Sequence, residues 1–62
     1  MNDVYIRKLL GKYETLMRMN KISWNGCSDD DYLYRHFLLG QKNILYSVIE
    51  DLNCLIKQSD KQ

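Results

Sequence analysis

The sequence lacks long apolar runs, and it contains no proline and no alanine. Its longest uninterrupted apolar runs are three residues, such as Phe37–Leu39, whereas a helix that spans a membrane needs about 20. We therefore expect no segment that crosses a membrane. The amino terminus shows no basic segment followed by an apolar stretch and a small-residue cleavage site, so no secretory signal is recognised. Together these absences predict a cytoplasmic protein.

Cysteine is scarce as well, since Cys27 and Cys54 are the only two. Along one continuous helix they would lie about 40 Å apart, which excludes a disulfide, because bridged Cα atoms lie within about 7 Å of each other. Two cysteines without CxxC spacing do not make a structural zinc site. We expect free thiols in a reducing cytosol, although the two cysteines could meet across chains in an antiparallel dimer of the second helix.

The residue types that carry catalysis or bind metals are few and poorly spaced. His36 is the only histidine and has no carboxylate four residues away on either side, so we expect it on the surface. Asp29, Asp30 and Asp31 would project about 100° apart on a helix and would not converge on one ion. No glycine-rich phosphate loop, Ser-His-Asp set or paired-carboxylate geometry occurs. We predict no enzymatic activity, no bound metal and no cofactor.

The amino-terminal third has the apolar period of an amphipathic helix. The apolar positions are Ile6, Leu9, Leu10, Tyr13, Leu16 and Met17. This pattern predicts a first helix over residues 3–20, with Asn2 or Asp3 as its N-cap and Asn20 as a left-handed residue that ends it. Residues 21–28 lose the period and contain Asn25-Gly26, a strong turn dipeptide, so we place the turn there.

A longer second helix is predicted over residues 29–58. Ser28 is the expected N-cap, and Asp31 stands at the third helical position, where it completes a capping box. The apolar face of this helix is about 160° wide, against about 100° for an ordinary surface helix. It consists of Leu33, Tyr34, Phe37, Leu38, Ile44, Leu45, Val48, Ile49, Leu52, Leu55 and Ile56.

These elements predict an all-α fold: a single-domain, antiparallel two-helix hairpin with a longer second helix. The helices would be about 27 Å and about 45 Å long, which would leave the carboxyl-terminal half of the second helix without an intramolecular partner. A hairpin of this size is also marginally stable alone. We therefore expect it to dimerise into a four-helix bundle. The predicted dimer interface consists of Leu45, Val48, Ile49, Leu52, Leu55 and Ile56.

A second apolar stripe lies on the opposite side of the second helix. Tyr32, Leu39 and Tyr46 recur at seven-residue spacing among charged and polar residues that include Arg35 and Glu50. Tyrosine is enriched where proteins bind one another. We interpret these five residues as the binding surface of a small protein-binding regulator, adaptor or inhibitor. The small size and the absence of alanine, which suggests an AT-rich genome, are compatible with a phage or another mobile element.

The alternative function is a dimeric nucleic-acid-binding regulator. Residues 1–24 carry five basic and two acidic side chains, a net charge of +3, whereas residues 25–62 carry four and six, a net charge of −2. A basic flank attracts anionic partners, although the same asymmetry can set the antiparallel pairing of the helices. The basic candidates on the first helix are Arg7, Lys8, Lys12, Arg18 and Lys21.

Overall fold

In the computed structural model, the chain folds into two helices joined by a short turn. The structure describes residues 3–60, and the side chains of residues 4–58. Helix α1 spans Asp3–Gly26 and helix α2 spans Tyr32–Asp60, and no strand occurs in the described part of the chain. The molecule measures 50 × 14 × 11 Å, so it is one layer of two helices. The predicted all-α hairpin with a longer second helix is confirmed.

Contacts at both ends of the hairpin show that the helices are antiparallel. Ile6, near the start of α1, packs in a buried cluster with Leu52 and Ile56 of α2. Asn20, near the other end of α1, donates a hydrogen bond to the Leu38 carbonyl oxygen, 3.0 Å away. The start of α1 therefore lies beside the end of α2.

The first helix runs six residues past its predicted end. Asn20 was predicted to end it in a left-handed conformation, and this prediction is wrong: no described non-glycine residue has a positive φ angle. The Asn20 side chain is buried, 5% exposed, and its amide is satisfied by α2, so nothing diverts the backbone from helical geometry. Asn25-Gly26 forms the last two residues of α1, beyond which the Cys27 amide donates to the Trp24 carbonyl oxygen at 3.2 Å.

The second helix begins three residues later than predicted, and Asp31 is its N-cap. The Tyr34 amide donates to Asp31 Oδ1 at 3.2 Å, which satisfies one of the free donors of the first turn. The predicted capping box at Ser28 is wrong, because Ser28 belongs to the preceding turn. Its Oγ accepts from the Asp30 amide at 3.3 Å, and its carbonyl oxygen accepts from the Asp31 amide at 3.1 Å. The predicted cap of α1 at Asn2 or Asp3 lies outside the described side chains.

The core is a single seam between the two helices. Leu38, Leu45 and Leu52 recur every seven residues along α2 and are buried, as expected for a helix packed lengthwise against one neighbour. The prediction that the carboxyl-terminal half of α2 lacks an intramolecular partner is wrong. Helix α1 has 24 residues and α2 has 29, so α1 reaches along the seam to cover Leu52 and Ile56.

Candidate protein-binding surfaces

The core leucines divide the exposed part of α2 into two sides. Successive helical residues are about 100° apart. The residues immediately after two core leucines, Leu39 and Tyr46, therefore project to one face of the hairpin. The residues immediately before the same leucines, Phe37 and Ile44, project to the other face. All four are substantially exposed.

The first of these faces contains a groove between the helices. The groove is a cavity of about 460 Å³ and is referred to below as the basic groove. It is lined by Met17, Arg18, Asn20, Lys21, Trp24, Asn25, Leu39, Lys42 and Tyr46.

Two short rows of apolar side chains form the floor of the basic groove. Met17 and Trp24 are seven residues apart on α1, as are Leu39 and Tyr46 on α2, so each pair spans about two helical turns on one side of its helix. Met17 and Trp24 are half-buried, whereas Leu39 is 42% and Tyr46 64% exposed. The floor therefore offers a ligand apolar and aromatic surface from both helices.

The rim of the basic groove carries positive charge only. Arg18, Lys21 and Lys42 line it, and no acidic side chain does so among the described residues. An Arg18 guanidinium nitrogen donates to Thr15 Oγ1 at 3.3 Å, which holds the guanidinium on the α1 side of the groove. Glu14 does not line the groove, but it lines an adjoining cavity with Ile49 and with three residues of the groove, Met17, Arg18 and Tyr46. The groove is thus suited to a ligand that combines an apolar side chain with carboxylates.

The five predicted partner-binding residues do not share one surface. Leu39 and Tyr46 line the basic groove. Glu50 lies with Tyr46 along a shallow cavity on α2. Tyr32 is 70% exposed at the start of α2, and Arg35 is engaged within the molecule. The groove residues Met17, Trp24 and Lys42 were not predicted as site residues. Trp24 was missed because ending the first helix at residue 20 removed it from its helical register with Met17.

Arg35 joins the end of α1 to the turn rather than facing outward. Its guanidinium carbon lies 4.6 Å from the centroid of the Trp24 ring, a cation–π arrangement. One terminal nitrogen lies 2.8 Å from Asp29 Oδ1. Its Nε is buried without a hydrogen-bond partner among the described residues. These contacts give Arg35 a structural role beside the groove.

The predicted dimer-interface residues are also divided by the structure. Leu45, Leu52 and Ile56 are buried in the seam, at 6%, 9% and 7% exposure, and so are already covered by α1. Val48 and Ile49 are half-buried. Leu55, at 36% exposure, is the most open of the six. Dimerisation itself stays a prediction, but a second protomer would have to use other residues than the three in the core.

The second face of the hairpin exposes large apolar side chains from both helices. It is referred to below as the apolar face and consists of Leu16 and Met19 on α1 and Leu33, Phe37 and Ile44 on α2. Phe37 and Ile44 line a cavity of about 470 Å³ together with His36, Gly40, Gln41 and Leu45. The Phe37 ring stacks on that of Tyr34, with centroids 6.2 Å apart.

The basic residues of the alternative function are all exposed but are separated by the structure. Arg18 and Lys21 line the basic groove. Lys8 and Lys12 project toward the opposite side of α1, where the Lys12 ammonium lies 6.0 Å from the Tyr13 ring centroid. Arg7 lies near the start of α1, ten residues before Met17, the first groove residue of that helix, and therefore about 15 Å from it along the helix axis. The five do not form one continuous basic surface.

The described residues contain no group of three or more His, Cys, Asp or Glu side chains that could hold a metal ion. Cys27 and Cys54 are both free thiols within the one chain. Neither described helix is long and apolar enough to cross a membrane. The chain matches no protein-family model, no curated protein and no solved structure.

Proposed function

We propose that this chain is a small non-enzymatic regulator, adaptor or inhibitor that binds an acidic, partly apolar segment of another protein in the basic groove. The observation that carries the proposal is the composition of this groove. Leu39 and Tyr46, two of the three residues in the predicted stripe, lie with Trp24 between the helices, and every charged side chain on the rim is basic.

The shape of the groove favours a helical ligand. Its two apolar rows, Met17 to Trp24 and Leu39 to Tyr46, each extend about 10.5 Å along the helix axes. A helix that lies along such a groove inserts apolar residues spaced at i, i+3 or i+4, and i+7. The half-buried Trp24 and the exposed Tyr46 support this use, because tryptophan and tyrosine dominate the binding energy of many interfaces.

The charge of the groove rim supports an acidic partner. Arg18, Lys21 and Lys42 would attract carboxylates that flank the apolar anchors of the partner. Attraction of this kind accelerates association and selects against basic partners. We therefore propose an acidic amphipathic helix as the ligand, with the apolar contacts setting its rate of dissociation.

We further propose that the protein acts in the cytoplasm and as a homodimer. The free thiols of Cys27 and Cys54 are typical of a reducing compartment and support the first statement. An origin in a phage or another mobile element rests on the small size and the absence of alanine.

A peptide-display selection with matched variants tests the proposed function. Wild-type protein and the Leu39→Asp and Ile44→Asp variants are each used to select from a random library of displayed peptides of about 20 residues, long enough for several helical turns. We expect the wild type to enrich acidic peptides with apolar residues at helical spacing. Leu39→Asp places a carboxylate in the groove and should lose them, whereas Ile44→Asp lies on the opposite face and should retain them.

Three results of this selection would contradict the proposal. One is the enrichment of basic peptides by the wild type. Another is equal binding of the selected peptides to Leu39→Asp and to wild type, at equal helicity by circular dichroism. The third is the absence of any enriched peptide, which together with capture of nuclease-sensitive material from host extracts would favour the nucleic-acid alternative.

A further inference from the structure

We propose that a second copy of this chain packs against the apolar face, so that two hairpins form a four-helix bundle with the basic grooves on its outside. The inference rests on the proposed function in one respect, since the regulator is taken to be a homodimer. This interface differs from the one predicted from sequence, because it uses exposed side chains in place of residues that are buried within one protomer.

The exposure of the apolar face is unusual for residues of this size. Ile44 is 67%, Phe37 58%, Met19 57% and Leu33 86% exposed. Ile44 and Phe37 are two helical turns apart on α2, and Leu16 and Met19 lie beside them on α1, on the side away from the groove-lining Met17. By helical position, exposed apolar side chains of both helices therefore project to the same face of the hairpin. Contiguous apolar patches of this kind mark interfaces.

The hairpin exposes more surface than a compact protein of its mass, and the excess is close to the area that a dimer interface would bury. The protein exposes 5134 Å², whereas a compact monomer of 7.4 kDa exposes about 4,200 Å². The difference of about 900 Å² is close to the roughly 800 Å² that each partner buries in a standard protein–protein interface. A second copy seated on the apolar face would bring each protomer to the surface expected of a compact protein.

Charge decides which faces meet. Two basic grooves facing each other would bring Arg18, Lys21 and Lys42 of one copy against the same three cations of the other, which repel. By helical position, Lys8 and Lys12 of α1 and Asp51 of α2 flank the apolar face toward the end near the amino terminus, with opposite signs on the two helices. Pairing of the apolar faces therefore leaves the grooves outward and free.

The charges of the helices also fix the orientation of the second copy. Helix α1 carries five basic and two acidic residues, a net charge of +3, and α2 carries three of each. A two-fold axis along the long dimension places α1 of each copy over α2 of the other and brings Lys12 near Asp51 of the second copy. An axis across the long dimension would instead place α1 over α1. We infer the first arrangement, because it places the basic α1 over an α2 of no net charge rather than over a second basic α1.

The oligomeric state of wild type and two single variants tests the inference. Ile44→Asp places a carboxylate in the apolar face, and Leu39→Asp places the same group in the groove as a matched control. By analytical ultracentrifugation we expect wild type and Leu39→Asp to sediment as dimers. Ile44→Asp should be a monomer, with dimer affinity at least about 100-fold weaker, because the charge would be buried without a partner. A monomeric wild type, or a dimeric Ile44→Asp variant, would overturn the proposal.

Thermal unfolding supplies a measurement that does not depend on a folded variant. If folding is coupled to dimerisation, the Tm of the wild type rises with protein concentration. A Tm that stays constant over a 100-fold range of concentration would contradict a dimer that forms within that range. This measurement applies equally if Ile44→Asp fails to fold, and in that case Ile44→Ser gives the milder test of the same face.

Spin labels at the turn distinguish the two orientations. In a variant with Cys27→Ser, Cys54→Ser and Ser28→Cys, the labels of the two copies lie at the same end of the bundle under the proposed axis. Under the crosswise axis they lie at opposite ends of a molecule that is 50 Å long. A label–label distance near the full length of the hairpin would exclude the proposed orientation.

Failure of this inference and failure of the proposed function have different signatures. The groove peptides selected above should still bind monomeric Ile44→Asp at each groove, and dimeric Leu39→Asp should not bind them. Retained dimerisation with no peptide bound by wild type would remove the proposed function and leave the dimer. Peptide binding by a monomeric wild type would remove the proposed dimer and leave the proposed function.

Discussion

The side-chain amide of Asn20 donates hydrogen bonds to two groups on the opposite helix, Gln41 Oε1 at 2.9 Å and the Leu38 carbonyl oxygen at 3.0 Å. Asn20 is 5% exposed and is the one buried polar residue of the described side chains. A single buried asparagine between packed helices is known to fix register, because only one alignment satisfies its hydrogen bonds. The pair Asn20–Gln41 therefore sets how α1 slides along α2.

Two replacements of Asn20 should show separately how it affects the stability of the hairpin and the alignment of α1 with α2. Asn20→Ala removes both hydrogen bonds and leaves the carbonyl oxygen of the buried Leu38 without this donor, so we expect the free energy of unfolding to fall by about 1–3 kcal/mol. Asn20→Leu should retain more of the stability but lose the unique alignment. Urea unfolding measures the first effect, and doubling of amide resonances in a ¹H–¹⁵N NMR spectrum measures the second. A single set of sharp resonances for Asn20→Leu would show that the leucine seam alone defines the register.

The start of α2 gives a direct comparison of two candidate caps. We expect Asp31→Ala to reduce the free energy of unfolding by about 1 kcal/mol, because the Tyr34 amide loses its acceptor. Ser28→Ala should have a smaller effect, since the Ser28 hydroxyl accepts only from the Asp30 amide within the exposed turn. Urea unfolding of the two variants side by side is the measurement. A larger loss for Ser28→Ala would instead support the capping box predicted from sequence.

The fold was predictable because the hydrophobic period of each helix is long and regular. The apolar positions from Ile6 to Met17 and from Leu33 to Ile56, with the loss of period over residues 21–28 between them, were enough to predict a hairpin. Asn20 was misread, because an asparagine at the end of an apolar run has the same local signature whether it ends a helix or is buried against another helix. The buried asparagine is distinguished by the hydrogen-bond partner Gln41 on the opposite helix, and the position of Gln41 depends on the register between α1 and α2.

The candidate site was predictable only in part for the same reason. The Leu39 and Tyr46 stripe follows from spacing within one helix. The contribution of Trp24 and Lys21 depends on α1 continuing past residue 20 and on its alignment with α2. Arg35 looked like a surface residue by its helical position, but the aromatic ring of Trp24 lies within its reach at the end of α1.

We expect the contact of Arg35 with the Trp24 ring to contribute more to stability than its ion pair with Asp29. We expect Arg35→Ala to change the wavelength and intensity of tryptophan fluorescence, because the only indole loses its guanidinium neighbour, and to lower the free energy of unfolding by about 1 kcal/mol. Asp29→Asn should leave the fluorescence and the stability nearly unchanged, since Asp29 is 94% exposed and its ion pair with Arg35 is screened by water. Equal effects of the two variants on fluorescence and stability would show that Arg35 acts through its ion pair with Asp29 instead.

Neighbouring residues on α2 provide a test of the burial pattern. Leu45 is 6% exposed and Ile44 is 67% exposed. Within one protomer, Leu45→Ala should cost about 2–4 kcal/mol through the lost contacts and the cavity left behind. Ile44→Ala should cost much less at concentrations where the protein is monomeric. Unfolding by urea at low micromolar concentration separates the two, and a comparable loss for both would place Ile44 in the core of the protomer.

Salt dependence distinguishes the proposed function from its alternative. A complex with DNA or RNA loses affinity with a slope of about −0.9 in log K against log salt for each phosphate contacted on a duplex, and about −0.7 on a single strand. The five basic residues of α1 lie on two sides of the helix, so one strand would meet only two or three of them.

The apolar floor of Leu39, Tyr46 and Trp24 should instead give a peptide complex whose dissociation rate is nearly independent of salt. Its association rate should fall with ionic strength, because Arg18, Lys21 and Lys42 attract the acidic ligand over a distance. Stopped-flow or surface plasmon resonance kinetics at 50 to 500 mM NaCl measure both rates. A dissociation rate that rises steeply with salt, and that is unchanged by Leu39→Asp, would transfer the function from the groove to the basic side chains.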